Sequence, residues 1–175
     1  MRTLRRKQHR PRRIDPAGGL SVFLRMQDRA ENARPIGNDA RTDLQLAYWI
    51  SFHAMTQGAS SEEHWSVVAV SLNVALILTE HGFGREYEPY VIKALDAAFR
   101  AHQRGQRTGA WRYDGEGINA VRDALELHDE QLALATKDQV RAALAEVNRR
   151  VDAGDVYQAV PLSAPATTTP EGIAL

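Results

Sequence analysis

The chain has 175 residues, 43% hydrophobic and 25% charged, with Lys+Arg and Asp+Glu balanced at 22 each. Those proportions belong to a globular chain that can bury a core, and they argue against a collagen-like or wholly disordered one. With no Cys, a disulfide framework, an iron–sulfur cluster, a Cys-ligated zinc site and a thiol nucleophile are excluded.

The charge is unevenly placed. Arg2, Arg5, Arg6, Lys7, Arg10, Arg12 and Arg13 open the chain without an acid among them. From Ile14 onward acids outnumber bases, because every Asp and Glu lies there. A basic arm on an acidic body is a pattern found in nucleic-acid-binding tails. Such an arm would bind phosphates by releasing counterions, with steep salt dependence. The alternative is a solvated terminus drawn to acidic protein surface. The stretch after the arm, Ile14-Asp15-Pro16-Ala17-Gly18-Gly19, is too polar for a signal-peptide core. Val67–Leu78 is too short to span a bilayer, which takes about twenty apolar residues. The expectation is a cytoplasmic protein without a membrane partner.

Residues 1–19, with Pro11, Pro16 and Gly18-Gly19, are expected to form a flexible arm. Residues 20–29 fit a short helix or a strand, and Ala33–Asn38 reads as a loop. A helix is expected from about Asp39 to Gln57, capped by Asn38 or Asp39 and closed by Gly58. Its apolar surface would be Leu44, Ala47, Tyr48, Ile50, Ala54 and Met55.

The next helix opens on Ser60-Ser61-Glu62-Glu63, read as a capping box of Ser60 with Glu63. Trp65, Val68, Leu72, Ala75 and Leu76 follow at helical spacing, and Val67, Val70, Val74 and Ile77 make its other faces apolar too. An all-round apolar helix belongs at the centre of a bundle. Asn73, inside this run, needs partners, and a hydrogen bond to a neighbouring helix is expected. The helix would stop at Gly82.

A third helix should start between Glu86 and Pro89. It would bury Tyr90, Val91, Ile92, Leu95, Ala98 and Phe99 and end at Gly105. Residues 105–117 form a connector, a short strand or packed loop, and its DGEG stretch reads as a turn before a helix. The fourth helix runs to about Ala135 with Ile118, Val121, Leu125 and Leu132 in phase. Thr136 and Gln139 make a capping box for a fifth, which carries Val140, Leu144, Val147 and Val151 and closes at Gly154. The tail, residues 155–175, is rich in Pro, Ser and Thr through its VPLSAPATTTPEGIAL stretch and is expected to be disordered. The fold class is therefore all-α: one bundle of about five helices over residues 20–154.

Chemistry-bearing motifs are few. The helical histidines His53, His64, His81, His102 and His128 lack the i,i+3 or i,i+4 pairing of a helical metal site. They are read as surface or helix-end residues, with His81 and His102 in last turns. No G-x-S-x-G nucleophile elbow or phosphate-cradling Gly-rich loop is present. No cofactor, metal or catalytic residue is assigned. A second basic cluster, Arg100, Arg104, Arg107 and Arg112, surrounds Trp111. Exposed, it would contact phosphate and stack on a base. The stronger reading is that Arg100 and Arg104 complement a helix end while Trp111 anchors the connector.

The segments KQHRPRRIDP, HGFGREYEPYVIKALDAAFRAHQRGQRTGAW and ALELHDEQLALAT resemble those of a group of small helical proteobacterial and prophage proteins. Some of these are called Fis-type transcriptional regulators. The resemblance covers roughly residues 5–150. It implies a bacterial or phage setting and a link to DNA, and supplies no catalytic residues. The chain departs from that label in lacking a strongly basic recognition helix. The leading expectation is a non-enzymatic, nucleic-acid-associated accessory or regulatory protein. It would bind through Arg2, Arg5, Arg6, Lys7, Arg10, Arg12 and Arg13, helped by Arg104, Arg107 and Arg112. The helical body would supply homodimerisation or partner binding. The alternative is a protein-interaction module, an adaptor, inhibitor or decoy for a basic partner. It would use acidic faces around Glu62, Glu63, Asp123, Glu126, Asp129 and Glu130.

Overall fold

A computed structural model describes residues 25–154. The expected arm and tail, with the arginines at 2–13, lie outside the described residues. Residues 25–32 are helical, and five longer helices follow. They are α1 (Asn38–Gln57), α2 (Glu62–Glu80), α3 (Glu88–Thr108), α4 (Gly115–Leu134) and α5 (Lys137–Asp152), with a 3-10 turn at Arg85–Tyr87 before α3. The fold is an all-α bundle. Among the described residues the only β feature is an isolated bridge between Pro35 and Thr136, which fastens the loop before α1 to the start of α5.

The apolar α2 takes the central place: it packs against each of the other four helices. Val68, Leu72, Ala75, Ile77 and Leu78 lose essentially all contact with solvent, alongside Met55, Leu125 and Leu132. Asn73 donates to the Ala69 carbonyl of its own helix at 2.8 Å, rather than to a neighbouring one. One turn back is within reach of a short amide, so no second helix is needed. No helix among the described residues is long and apolar enough to cross a membrane.

Several boundaries shift from expectation. The N-cap of α1 is Gly37, with no side-chain cap, while Gly58 closes the helix in the left-handed region at φ 76°. Its inward face is Tyr48, Ser51, Phe52 and Met55, and Leu44 and Ile50 are exposed. The cap of α2 is Ser61, whose N–H donates to His64 Nδ1 at 3.1 Å. Ser60 instead donates its hydroxyl to the Trp111 carbonyl. The Thr136–Gln139 box forms as expected: the Thr136 N–H donates to Gln139 Oε1 at 2.8 Å, and the Gln139 N–H to Thr136 Oγ1 at 3.3 Å.

The largest shift is at Gly105. It does not end α3 but lies inside it, and the helix continues to Thr108 and closes at Gly109. A Cβ on Gly105 would overlap the Trp111 indole, so this glycine is a slot for the ring. The inward face of α3 carries Val91 and Leu95, as expected, and is otherwise built from small residues, Ala94, Ala97, Ala98 and Ala101 with Gly105. Small contact residues let helices approach closely. Gly117 of α4 meets this face, and a Cβ there would stand 3.0 Å from Ala97 Cβ. Tyr90 is exposed.

At its far end α5 is held to α2 by Arg150, which donates to Glu80 at 2.6 and 3.0 Å and to Glu146 at 2.9 Å. The Arg149 and Arg150 guanidiniums pull the Glu146 carboxyl down to about 2.

Candidate functional site

The second basic cluster is largely absorbed by the fold. Arg100 forms a forked pair with Asp114 at 3.0 and 3.3 Å. Asp114 also caps α4 by accepting from the Gly117 N–H at 2.7 Å. The hydrogen-bonded guanidinium lowers the Asp114 carboxyl and is itself raised. The DGEG stretch is thus a capped helix start. Arg104 donates to the Arg112 carbonyl at 2.5 Å and holds the connector in place. Trp111 is half-buried, its ring 6.0 Å from that of Trp65 and 5.6 Å from His102. This packing withdraws Trp111 from base stacking. The exposed members of the cluster are Arg107 and Arg112.

The histidines divide. His53 and His81 are exposed. His64 serves the α2 cap, and His102 lies 4.3 Å from the Trp65 ring rather than in a last turn. His128 is only 3% exposed, which corrects the surface reading. Its position follows from phase: it falls three residues after Leu125 and four before Leu132, on the buried stripe of α4. Burial pushes its imidazole down to about 4, so it is neutral at pH 7. Gln131 Nε2 donates to the Ala75 and Phe83 carbonyls at 3.2 and 2.9 Å. Gln131 Oε1 is left to accept from His128 Nδ1 at 3.2 Å. The proton therefore sits on Nδ1, and Nε2 carries a lone pair. Among the described residues no three His, Asp or Glu side chains come together as a metal-ligand set.

Asp129 leaves the acidic face on which the sequence places it. Gln45 Nε2 and Trp49 Nε1 each donate to it at 3.0 Å, and the Tyr48 hydroxyl donates as well. One carboxylate of α4 thus gathers three donors from α1, and burial followed by this bond pushes the Tyr48 phenol far up. Glu62 accepts from Gln106 at 3.3 Å, at the opposite end of α2 from the Phe83 turn.

Glu63 stays exposed beside Glu62 in the first turn of α2. Asp123, Glu126 and Glu130 are all exposed on α4 at helical spacing of three and four. They line a groove of about 700 Å³ together with Tyr87, Tyr90, Leu127 and Leu134. Tyr87 and Tyr90 are 47% and 57% exposed, with ring centroids 6.1 Å apart. The groove wall is shaped by Gly84, whose φ of 75° is left-handed; a Cβ there would press on Tyr87 at 3.2 Å and Leu127 at 3.3 Å. Gln131 holds the floor through the Phe83 carbonyl. Carboxylates on one wall and aromatic faces on the other are complementary to a cation on an apolar stem. The two tyrosines escape sequence reasoning because one is placed on the buried face of α3 and the other is not singled out. Their i,i+3 spacing across the start of α3 was the available signal.

No protein-family model matches the chain, and neither a curated protein nor a solved structure matches it.

Proposed function

We propose that the protein is a non-enzymatic binding module whose helical body receives a Lys- or Arg-rich polypeptide segment in the Tyr87–Tyr90 groove. The observation that carries this reading is the pairing of exposed Asp123, Glu126 and Glu130 with two exposed tyrosines around one cavity. A guanidinium or ammonium there pairs with a carboxylate while its stem or plane lies on a phenol ring, an arrangement worth more than either contact alone. Titration of the chain with an Arg-rich peptide tests it. Binding should fall with added salt and be lost in a Glu126→Lys/Glu130→Lys variant, whose bundle still folds because both positions are exposed.

The second reading is nucleic-acid association through Arg2, Arg5, Arg6, Lys7, Arg10, Arg12 and Arg13, in a bacterial or phage cytoplasm. Its support is the density of cations from Arg2 to Arg13, with no acid among them. Arg107 and Arg112 extend it, and since Trp111 is packed it rests on charge alone. A salt-titrated DNA-binding assay on the chain with and without residues 1–13 decides it. Binding that survives the deletion counts against the arm, and no binding by either version counts against nucleic acid altogether.

A further inference from the structure

A second cleft, of about 320 Å³, shares no lining residue with the acidic groove. Leu44 and Ala47 of α1, Val67, Val70 and Val74 of α2, Leu132 of α4 and Val140 and Leu144 of α5 make it apolar. Its inner polar atoms come from Tyr48, Ser71 and His128, with the exposed Ser66 at its edge. The three inner side chains have their protons committed elsewhere. The Tyr48 hydroxyl donates to Asp129, the Ser71 hydroxyl to the Val67 carbonyl at 3.0 Å, and His128 Nδ1 to Gln131. What they offer the cleft is acceptor lone pairs. The clearest is on His128, a residue 3% exposed that nevertheless lines the cleft. Nε2 has no hydrogen-bond partner among the described residues. A mostly apolar cavity lined by a few fixed polar groups is the usual form of a small-molecule site.

We propose that this cleft binds a small apolar molecule carrying a single hydrogen-bond donor, of the phenol or indole type, with its O–H or N–H directed at His128 Nε2. The apolar walls take the ring, and the fixed tautomer selects a donor over an acceptor. A carboxylate or phosphate is disfavoured, because the cleft supplies no cation and only the Ser66 hydroxyl at its edge as a donor to replace its water. Gln131 acts as a positioning residue: it fixes the imidazole by taking the Nδ1 proton while its own amide is anchored on Ala75 and Phe83.

The test uses the full chain and two probes of nearly equal shape, 2-naphthol and 2-methoxynaphthalene, titrated calorimetrically at neutral pH. Naphthol should bind saturably, and the methyl ether, which has no donor, about tenfold more weakly or worse. Val70→Trp, a change at a position 41% exposed that fills the mouth, should abolish naphthol binding. His128→Phe should erase the preference between the probes. Should that buried variant fail to fold, the probe pair and Val70→Trp still decide. Failure of naphthol to saturate the full chain, equal binding of both probes, or binding indifferent to Val70→Trp would each overturn the proposal.

Discussion

The indole of Trp111 occupies the space over Gly105 where a side chain would stand: a Cβ there would overlap Trp111 Cδ2. A glycine in the middle of α3 and a tryptophan in the connector thus form one joint. Arg104 pins it by bonding to the Arg112 carbonyl, and Ser60 by bonding to the Trp111 carbonyl. Overpacking in Gly105→Ala costs about 1–3 kcal/mol, so the fold should be destabilised by a net amount of up to about 2 kcal/mol. Alanine's intrinsic helix advantage over glycine, about 1 kcal/mol, is the part that the ring overlap must exceed. Urea unfolding followed by tryptophan fluorescence measures the change. A stabilised variant would show that the ring gives way freely.

Asp129 fastens α1 to α4 by accepting from three α1 side chains. Asp129→Ala leaves the Tyr48, Trp49 and Gln45 donors without their acceptor. Chemical denaturation should register a loss of about 2–3 kcal/mol, and Tyr48→Phe, which removes one donor, about 1 kcal/mol. A loss below that of Tyr48→Phe would mean that water replaces the carboxylate without cost.

Burial lowers the His128 imidazole from its ordinary 6.5 to about 4. Between those values the unfolded chain binds the proton and the folded chain does not. The stability from this group is complete above pH 6.5, declines as pH falls toward 4, and changes little further below that. The size of the loss is on the order of 3 kcal/mol. Unfolding free energies measured from pH 7 to pH 4 should show this slope, and His128→Phe should flatten it. An unchanged slope in the variant would assign the loss to the carboxylates instead.

The helices were legible where short-range chemistry marks them. Pro89 in the first turn of α3, Gly58 after α1 and the Thr136–Gln139 box each act within one turn of chain. The all-round apolar α2 announced its central place. Gly105 misled because a helix-ending glycine and a glycine under a ring look alike until the connector is known to fold back. Leu44 and Ile50 misled because α1 turns its aromatic residues inward, and apolar spacing alone does not rank two faces. Of the candidate sites, the carboxylates of α4 were visible, but Asp129 could not be separated from Glu126 and Glu130. Its donors lie 80 to 84 residues away. The burial of His128 was available from the phase of Leu125 and Leu132. Its free Nε2 was not, because that depends on how Gln131 is anchored by the Phe83 turn.

In the proposed function, the groove between α4 and Tyr87–Tyr90 receives a basic polypeptide. The most direct measurement is calorimetric titration of an Arg-rich peptide into the chain and into three variants: Glu126→Lys/Glu130→Lys, Tyr90→Ala and, as a control, Glu62→Lys. Binding should be salt-sensitive, abolished by the charge reversal and weakened by about 1 kcal/mol or more in Tyr90→Ala, with the control near the original affinity. Absence of binding, or equal loss in the Glu62→Lys control, would contradict it.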